Sequence, residues 1–287
     1  MSSEKSLALV LRVVEFSETS CVVTLLTREF GKIGALAKGA RRPKSPFEAA
    51  IDLLSICRVV FLRKSSDALD LLTEAKLERR YRAAARDLTR LYAGYYVAEL
   101  LRELTDEDDP HPELFDLAVR TLIGLDTTAD VFGSVARFEL GALRLVGHQP
   151  SLDACVGCGR EVDVRQPVMF GHLAGGVLCA TCRPGQRSVV SVHGGVIAAM
   201  SGIYEEEEQS MDARGASADS TAEASLEAAR GKSGFGPEQT RVPDATLDRL
   251  EPRQRGELRA LLSHFISHTI GHRPQMLAYL TGLARNS

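Results

Sequence analysis

Residues 6–45 read SLALVLRVVEFSETSCVVTLLTREFGKIGALAKGARRPKS, and this stretch decides how the first part of the chain folds. Leu7, Leu9, Leu11 and Val13 recur at every second position, the period of a β-strand whose successive side chains point to opposite faces. The segments TSCVVTLLT and IGALAKG predict two further strands. The stretch therefore predicts three consecutive strands followed by a basic loop.

Two more strands are predicted downstream, SICRVVFLRK at residues 55–64 and ALDLLTEAKL at residues 68–77. Gly31 in the turn REFGK suits a positive φ, as a tight turn between strands requires. Five short strands within about eighty residues favour a small closed barrel over an open sheet. The third and fourth strands are joined by KGARRPKSPFEAAIDLL, a basic connection interrupted by prolines.

The hydrophobic period becomes helical after about residue 80. The first helical segment, residues 82–104, has an apolar stripe of Leu88, Leu91, Tyr95, Ala98 and Leu101. We therefore expect an α+β protein of two domains, a five-stranded barrel over residues 1–80 and a helical domain over residues 81–287.

Local signals mark further helices in the second part. Pro112 suits a first helical turn, because its missing N–H would have no partner there. Phe132, Val135 and Phe138 begin an apolar stripe that continues through Ala142 and Leu145, and Gly147 then predicts a helix end. Two more helices are predicted in PRQRGELRALLSHFISHTI and PQMLAYLTGLA.

Charge is distributed unevenly along the chain. Residues 205–244 contain ten acidic and four basic residues, a balance of −6, which leaves +3 for the rest of a chain whose total is −3. Residues 205–246 are rich in Ala, Ser, Gly and Glu, so we expect an acidic insertion that is disordered. The mildly basic remainder is compatible with a nucleic-acid partner.

Four of the six cysteines form two C-x-x-C pairs within a module at residues 151–187. Cys155, Cys158, Cys179 and Cys182 match the spacing of a Cys₄ zinc site, with one structural Zn²⁺ expected. A redox dithiol and an iron–sulfur cluster are the alternatives; a thioredoxin-like C-x-x-C would need a βαβ context, which is missing.

Catalysis at this metal is not expected, because four thiolates leave no open position for water. A deaminase would show H-x-E before P-C-x-x-C, but His172 lacks a Glu two residues on and Ala154 precedes Cys155. The chain also has no Walker A loop, G-x-S-x-G or H-E-x-x-H motif, so we expect a protein that is not an enzyme.

Two basic groups are candidate DNA-binding residues. The first is the loop between the third and fourth strands, with Lys38, Arg41, Arg42 and Lys44. The second lies at the start of the helical part and consists of Arg79, Arg80, Arg82 and Arg86. Each cation can neutralise a phosphate and release counterions. A solvated loop and an amphipathic helix are the alternative interpretations.

Base stacking would need an aromatic residue beside the basic loop. Phe16, Phe30, Phe47 and Phe61 are available in the barrel region, and most of them could equally belong to its core. Cys21 and Cys57 lie in apolar strands, where we expect buried and inert thiols. No apolar run approaches the roughly 20 residues of a membrane span. We expect a cytoplasmic, nucleoid-associated protein.

The order of these features resembles that of the RecO family of bacterial DNA-repair recombination mediators. The resemblance rests on SETS…LLT…GKIGALAKGARRPKS, on DPHPELFDLA, and on RFEL…L…G before the first cysteine pair. It implies an OB-fold followed by a helical domain with a zinc-finger module. The segment at residues 205–246 departs from the family pattern.

The resemblance also implies a function and partners. Members bind single-stranded and double-stranded DNA, anneal complementary strands, and act with RecR and single-strand-binding protein (SSB) to load the recombinase RecA. Lys38, Arg41, Arg42 and Lys44 fall where the family's OB-fold is expected to meet DNA. Two alternatives stay open: a zinc-stabilised protein-interaction scaffold with incidental DNA contact, and a zinc hydrolase or deaminase.

Overall fold

The computed structural model describes residues 2–42, 45, 47, 50–64, 68–83, 87–127, 130–215, 222–230, 247 and 249–280. These residues fall into two compact units. The first contains residues 1–127 and one later helix. The second contains the remaining helices and a small three-stranded sheet.

The first unit is built on a five-stranded barrel. Its strands are β1 (Ser3–Glu15), β2 (Cys21–Thr27), β3 (Gly31–Ala37), β4 (Ile56–Leu62) and β5 (Asp70–Arg79). They pair in the order β1–β2–β3–β5–β4, and β4 returns to β1 and closes the ring. All pairs are antiparallel except β3–β5, which is parallel. This is the small Greek-key barrel of an OB-fold, as the sequence predicts.

Both faces of the middle of β1, residues 6–11, are buried. Ala8 and Val10 belong to the hydrophobic cluster of the barrel, and Leu7 and Leu9, on the opposite face, are equally inaccessible. The pairing of β1 with β2 shifts register after Val10, and beyond this point Val13 is 39% exposed. The strand is therefore predicted correctly, but the alternation of its apolar residues does not identify the face that lines the barrel.

Three helices complete the first unit: α1 (Leu88–Leu104), α2 (Pro112–Thr127) and a helix at Ala222–Arg230. Pro112 opens α2 as predicted, and α1 packs against both β1 and α2. The buried face of α1 includes Tyr96 and Val97, whereas Leu88 of the predicted stripe is 62% exposed. The boundary between compact units lies after residue 127, although residue 80 ends the predicted barrel domain.

Asp116 of α2 connects three segments of the first unit. Arg28, which follows β2, donates from Nε and Nη2 to the two carboxylate oxygens at 2.9 and 3.0 Å. The backbone N–H of Ala222 donates to the same carboxylate at 3.0 Å. Asp116 is buried, so these charge-assisted bonds replace the water that its carboxylate loses on folding.

The helix at Ala222–Arg230 in the first unit is α5. The second unit contains α3 (Val131–Leu145), α4 (Gly194–Gly215), α6 (Pro252–Ile270) and a 3₁₀-helix at Gln275–Tyr279. Its sheet has the order β7–β6–β8, with β6 at Val168–Gly171, β7 at Gly176–Leu178 and β8 at Val189–Val192. The predicted stripe of α3 is buried from Phe132 to Ala142, and Gly147 follows the helix with φ +78°.

Parts of the segment that the composition predicts to be disordered are helical. Residues 205–215 are the second half of α4, and residues 222–230 form α5; residues 216–221 and 231–246 lie outside the described residues. Ala222 and Leu226 are buried one turn apart, which gives α5 an apolar contact that bulk composition does not reveal. No helix in the described ranges is long and apolar enough to cross a membrane.

Candidate metal centre and candidate nucleic-acid interface

The two C-x-x-C pairs form turns of the same construction. In the first, the backbone N–H groups of Cys158 and Gly159 donate to the carbonyl of Cys155 at 3.3 and 2.8 Å. In the second, the corresponding groups of Cys182 and Arg183 donate to the carbonyl of Cys179 at 3.1 and 3.0 Å. Each turn directs both of its sulfurs to the same side.

The four sulfurs meet in one cluster. All four Sγ atoms lie within 4.8 Å of one another, and Cys158 Sγ is 3.8 Å from Cys179 Sγ. A tetrahedron with metal–sulfur bonds of about 2.3 Å has sulfur–sulfur edges of about 3.8 Å. A Cβ at Gly157 would lie 3.1 Å from Cys182 Sγ, so a larger residue there would press on a ligand. The donor set fits one tetrahedral metal ion.

Hydrogen bonds around the cluster favour the thiolate form of Cys155 and Cys158, whereas the contacts with the other sulfurs raise the pKa of Cys182 to about 12. The backbone N–H of Cys179 donates to Cys155 Sγ at 3.3 Å, and this bond is the largest contribution that lowers the pKa of the Cys155 thiol to about 6. Hydrogen bonds from the backbone and side chain of Arg160 lower the pKa of Cys158. Thiolates bind metal, and four of them leave no coordination position for a reacting water.

A second polar cluster involves His172, whose role the sequence does not reveal. It follows β6, is 6% exposed, and its ring centroid lies 5.4 Å from that of His264 and 5.8 Å from that of His268. Burial, with the two neighbouring histidines, lowers the pKa of His172 to about 4. Among the described residues, only the four cysteines satisfy the distance expected of metal ligands.

The loop after β3 brings three candidate DNA-binding residues to the surface. Lys38, Arg41 and Arg42 are exposed, and Lys44 lies outside the described residues. Arg41 Nη2 lies 3.0 Å from Glu15 Oε1 at the end of β1. Lys38 and Arg42 form no ion pair with any residue in the described part of the chain.

Part of the second basic group forms hydrogen bonds within the first unit. Arg79 Nη2 donates to Asp126 Oδ2 at 2.9 Å, and the backbone N–H groups of Arg82 and Ala83 donate to Oδ1 of the same buried carboxylate. The side chains of Arg80 and Arg82 are exposed. Arg86 lies outside the described residues.

The barrel cysteines and three of the four barrel phenylalanines are core residues. Cys21 and Cys57 are buried, and burial raises the pKa of Cys57 to about 12. Phe47 and Phe61 are buried, and Phe30 contacts Phe61 edge to face with ring centroids 5.5 Å apart. Phe16, in contrast, is 64% exposed in the loop between β1 and β2.

Comparison with known proteins covers both units. A family model described as recombination protein O N terminal matches residues 1–81, and one described as recombination protein O C terminal matches residues 85–224. The chain is 40% identical to the DNA repair protein RecO of Rhodopirellula baltica over 276 residues, which are 96% of this chain and 97% of that protein. It is 33% identical to the DNA repair protein RecO of Myxococcus xanthus, with 95% of each chain covered.

Proposed function

This chain belongs to the RecO family, and on that premise we propose that it is a DNA-repair protein that binds DNA and anneals complementary strands. The proposal includes loading of RecA onto SSB-coated single strands together with RecR. It rests on the family assignment, because the structure contains none of these partners. Double-stranded DNA is a second ligand under the same proposal.

The observation that carries the proposal is the set of exposed cations beside the β1–β2 hairpin. Lys38, Arg41 and Arg42 lie within five residues of one another on an OB-fold, whose loops commonly bind oligonucleotides. Cations that neutralise phosphates supply affinity independent of sequence. Two strands held in this way repel each other less, which lets their bases pair without a nucleotide cofactor or a catalytic group.

Arg80 and Arg82 are proposed as a second phosphate-binding group, extended by Arg86. The role of Arg79 in DNA binding is limited by its bond to Asp126, which occupies part of its guanidinium. The Cys₄ cluster is proposed to hold one Zn²⁺ with a structural role. Zinc bound there would supply folding free energy to a small module that has few core residues of its own.

The test replaces Lys38, Arg41 and Arg42 together by Ala and measures affinity for an oligothymidylate across a salt series. Each phosphate contact contributes about 0.7 to the salt slope for a single strand, so we expect the slope to fall by about 1.4 for Lys38 and Arg42, with a smaller further contribution from Arg41, which Glu15 holds. The matched control replaces Arg165, Arg183 and Arg187, three exposed arginines of the second unit, and removes the same total charge.

The two variants should differ in slope while both retain the circular dichroism spectrum of the unaltered protein. An equal effect of both triple replacements would contradict the loop as the binding site. Such a result would favour the protein-interaction scaffold, in which contact with DNA is incidental. Annealing of complementary oligonucleotides, followed in the same salt series, should weaken in parallel with binding.

A further inference from the structure

Phe16 is an exposed aromatic ring on an otherwise polar loop. It is 64% exposed, and it follows Val13 and Val14, which are 39% and 40% exposed at the end of β1. Single exposed apolar side chains are ordinary, and Val13 and Val14 point to opposite faces of β1, so exposure alone does not mark a binding site. The other three barrel phenylalanines are engaged in the core, so Phe16 is the aromatic of that set that a ligand can reach.

Strand pairing places Phe16 at the same end of the barrel as the basic loop. Glu15 pairs with Cys21 across β1 and β2, and Cys21 pairs with Ala37 across β2 and β3. Neighbouring strands lie about 4.8 Å apart, so the backbones of Glu15 and Ala37 are about 10 Å apart. Phe16 and Lys38 each follow one end of this row.

Backbone hydrogen bonds hold the two loops together. Phe16 N–H donates to the carbonyl of Ser20, and Arg41 N–H donates to the carbonyl of Thr19, both at 3.0 Å. Gly39 N–H donates to Ser20 Oγ at 3.2 Å. The backbones that carry the ring and the cations are therefore held in a fixed relation before any ligand binds, which lowers the ordering entropy that binding must overcome.

We propose that Phe16 is a base-stacking residue for single-stranded nucleic acid. The inference deepens the proposed function and rests on it. The cations beside the ring, Lys38, Arg41 and Arg42, favour a polyanion as the occupant, and a single strand presents both phosphates and unpaired base faces within one nucleotide length. Stacking on an aromatic ring tolerates any base, as a protein that handles strands of every sequence requires.

The experiment compares two oligonucleotides of equal length, an oligothymidylate and an abasic strand that retains only the sugar–phosphate backbone. Phe16→Ala should lower affinity for the oligothymidylate by about tenfold, since one stacked base contributes about that factor. It should leave affinity for the abasic strand and the salt slope unchanged. Leu173→Ala, an equally exposed apolar residue of the second unit at 61%, is the matched control.

A second variant gives a direct readout. The chain contains no Trp, so Phe16→Trp introduces a single indole fluorophore at the proposed site. Its emission should be quenched by the oligothymidylate and be unchanged by the abasic strand at equal saturation. This measurement keeps an aromatic ring on the loop, so it does not depend on how the loop tolerates Ala.

Three outcomes would overturn the inference. An equal loss of affinity for both strands in Phe16→Ala would show that the ring only shapes the basic loop. If Phe16→Ala left oligothymidylate affinity unchanged while the unaltered protein bound in a salt-dependent manner, stacking on Phe16 would be ruled out and the proposed function would stand. No binding of either strand by the unaltered protein would contradict the proposed function itself.

Discussion

Single side chains differ in how far the sequence reveals their roles. The clustering of the four cysteines could be predicted from their spacing alone, because a two-residue separation places two sulfurs on one turn whatever surrounds it. The four barrel phenylalanines could not be distinguished in this way, because their neighbours in the sequence do not separate buried rings from exposed ones and only the closed barrel determines which ring stays outside. His172 likewise shows no local signal for its contact with a helix nearly a hundred residues later.

Glu15 limits the charge available on the basic loop, and this gives a prediction at the residue scale. It lies 3.0 Å from Arg41, and both side chains are well exposed, so the ion pair contributes at most about 1 kcal/mol to stability. Glu15→Gln should release Arg41 for a phosphate, tighten oligothymidylate binding several-fold and steepen the salt slope. Glu18→Gln, which removes an exposed carboxylate from the loop between β1 and β2, is the control.

Equal tightening by the two substitutions would mean that only net charge matters, and that the contact between Glu15 and Arg41 is irrelevant to binding. Thermal stability should hardly change in either variant, since the pair is exposed. A large loss of stability in Glu15→Gln would contradict the weak energetic role assigned to this pair.

His172 should make the stability of the second unit sensitive to acid. Its folded pKa of about 4 lies below the ordinary value of 6.5, because burial and the neighbouring His264 and His268 disfavour its charged form. The unfolded chain therefore binds the proton first, and stability falls as the pH drops from about 6.5 towards 4. One proton gives a slope of at most about 1.4 kcal/mol per pH unit.

His172→Gln should remove this component, because Gln does not titrate. The measurement is the free energy of unfolding by urea at several pH values between 4 and 7, and the comparison is of slopes rather than of absolute stabilities. An unchanged slope in His172→Gln would assign the acid sensitivity to other groups. His193→Gln, an exposed histidine of the same unit, is the control.

At the scale of elements, the sequence predicts most helices and strands and misplaces several of their faces. β1 is buried on both faces over residues 6–11, and α1 buries Ala98 and Leu101 of the predicted stripe but not Leu88, because the barrel and its helices cover surfaces that periodicity treats as free. The composition of residues 205–215 and 222–230 predicts disorder. Both stretches are helical instead. Ala222 and Leu226 are buried in α5, and Arg137 forms a 2.9 Å ion pair with Glu206 of α4.

The junction of β5 with α2 gives a prediction at this scale. Arg79 donates to Asp126, whose side chain is 7% exposed, so the loss of Arg79 would remove a charged partner from a buried carboxylate. Arg79→Gln should lower the free energy of unfolding by about 1–3 kcal/mol. Arg82→Gln, three residues away and exposed, should change it by less than about 0.5 kcal/mol.

The same two substitutions distinguish a structural role of the arginine from a role in DNA binding. Arg82→Gln should reduce the salt slope for an oligothymidylate, and Arg79→Gln should leave it nearly unchanged at temperatures where the variant is folded. The reverse result, a stable Arg79→Gln protein with a reduced slope, would show that Arg79 contacts phosphate despite Asp126. Urea unfolding and fluorescence anisotropy on the same preparations provide both quantities.

At the scale of the whole molecule, the division into two domains after residue 80 stays a prediction. The family models meet between residues 81 and 85, where the strand pattern ends, whereas the compact units divide after residue 127. The difference arises because α1 and α2 pack on each other and on the barrel. A later helix, α5, joins the same unit from more than ninety residues away in the chain, which no local pattern predicts.

This division separates the candidate DNA-binding loop from the candidate metal centre. Lys38, Arg41 and Arg42 belong to the first unit, and the four cysteines belong to the second. Removal of zinc by a chelator should therefore lower the thermal transition of the second unit before DNA binding is lost. A loss of several kcal/mol corresponds to a fall of about 10 °C for a unit of this size.

The measurement combines calorimetry with oligothymidylate binding at 25 °C during titration with a chelator, and added Zn²⁺ should restore the transition. Cys158→Ser, which removes the most exposed ligand, should reproduce the chelated state without the reagent. Because the loop and the sulfurs lie in different units, binding should persist while the second unit loses stability. Loss of binding with the thermal transition unmoved would show that the metal module itself contacts DNA, and that its role is more than structural.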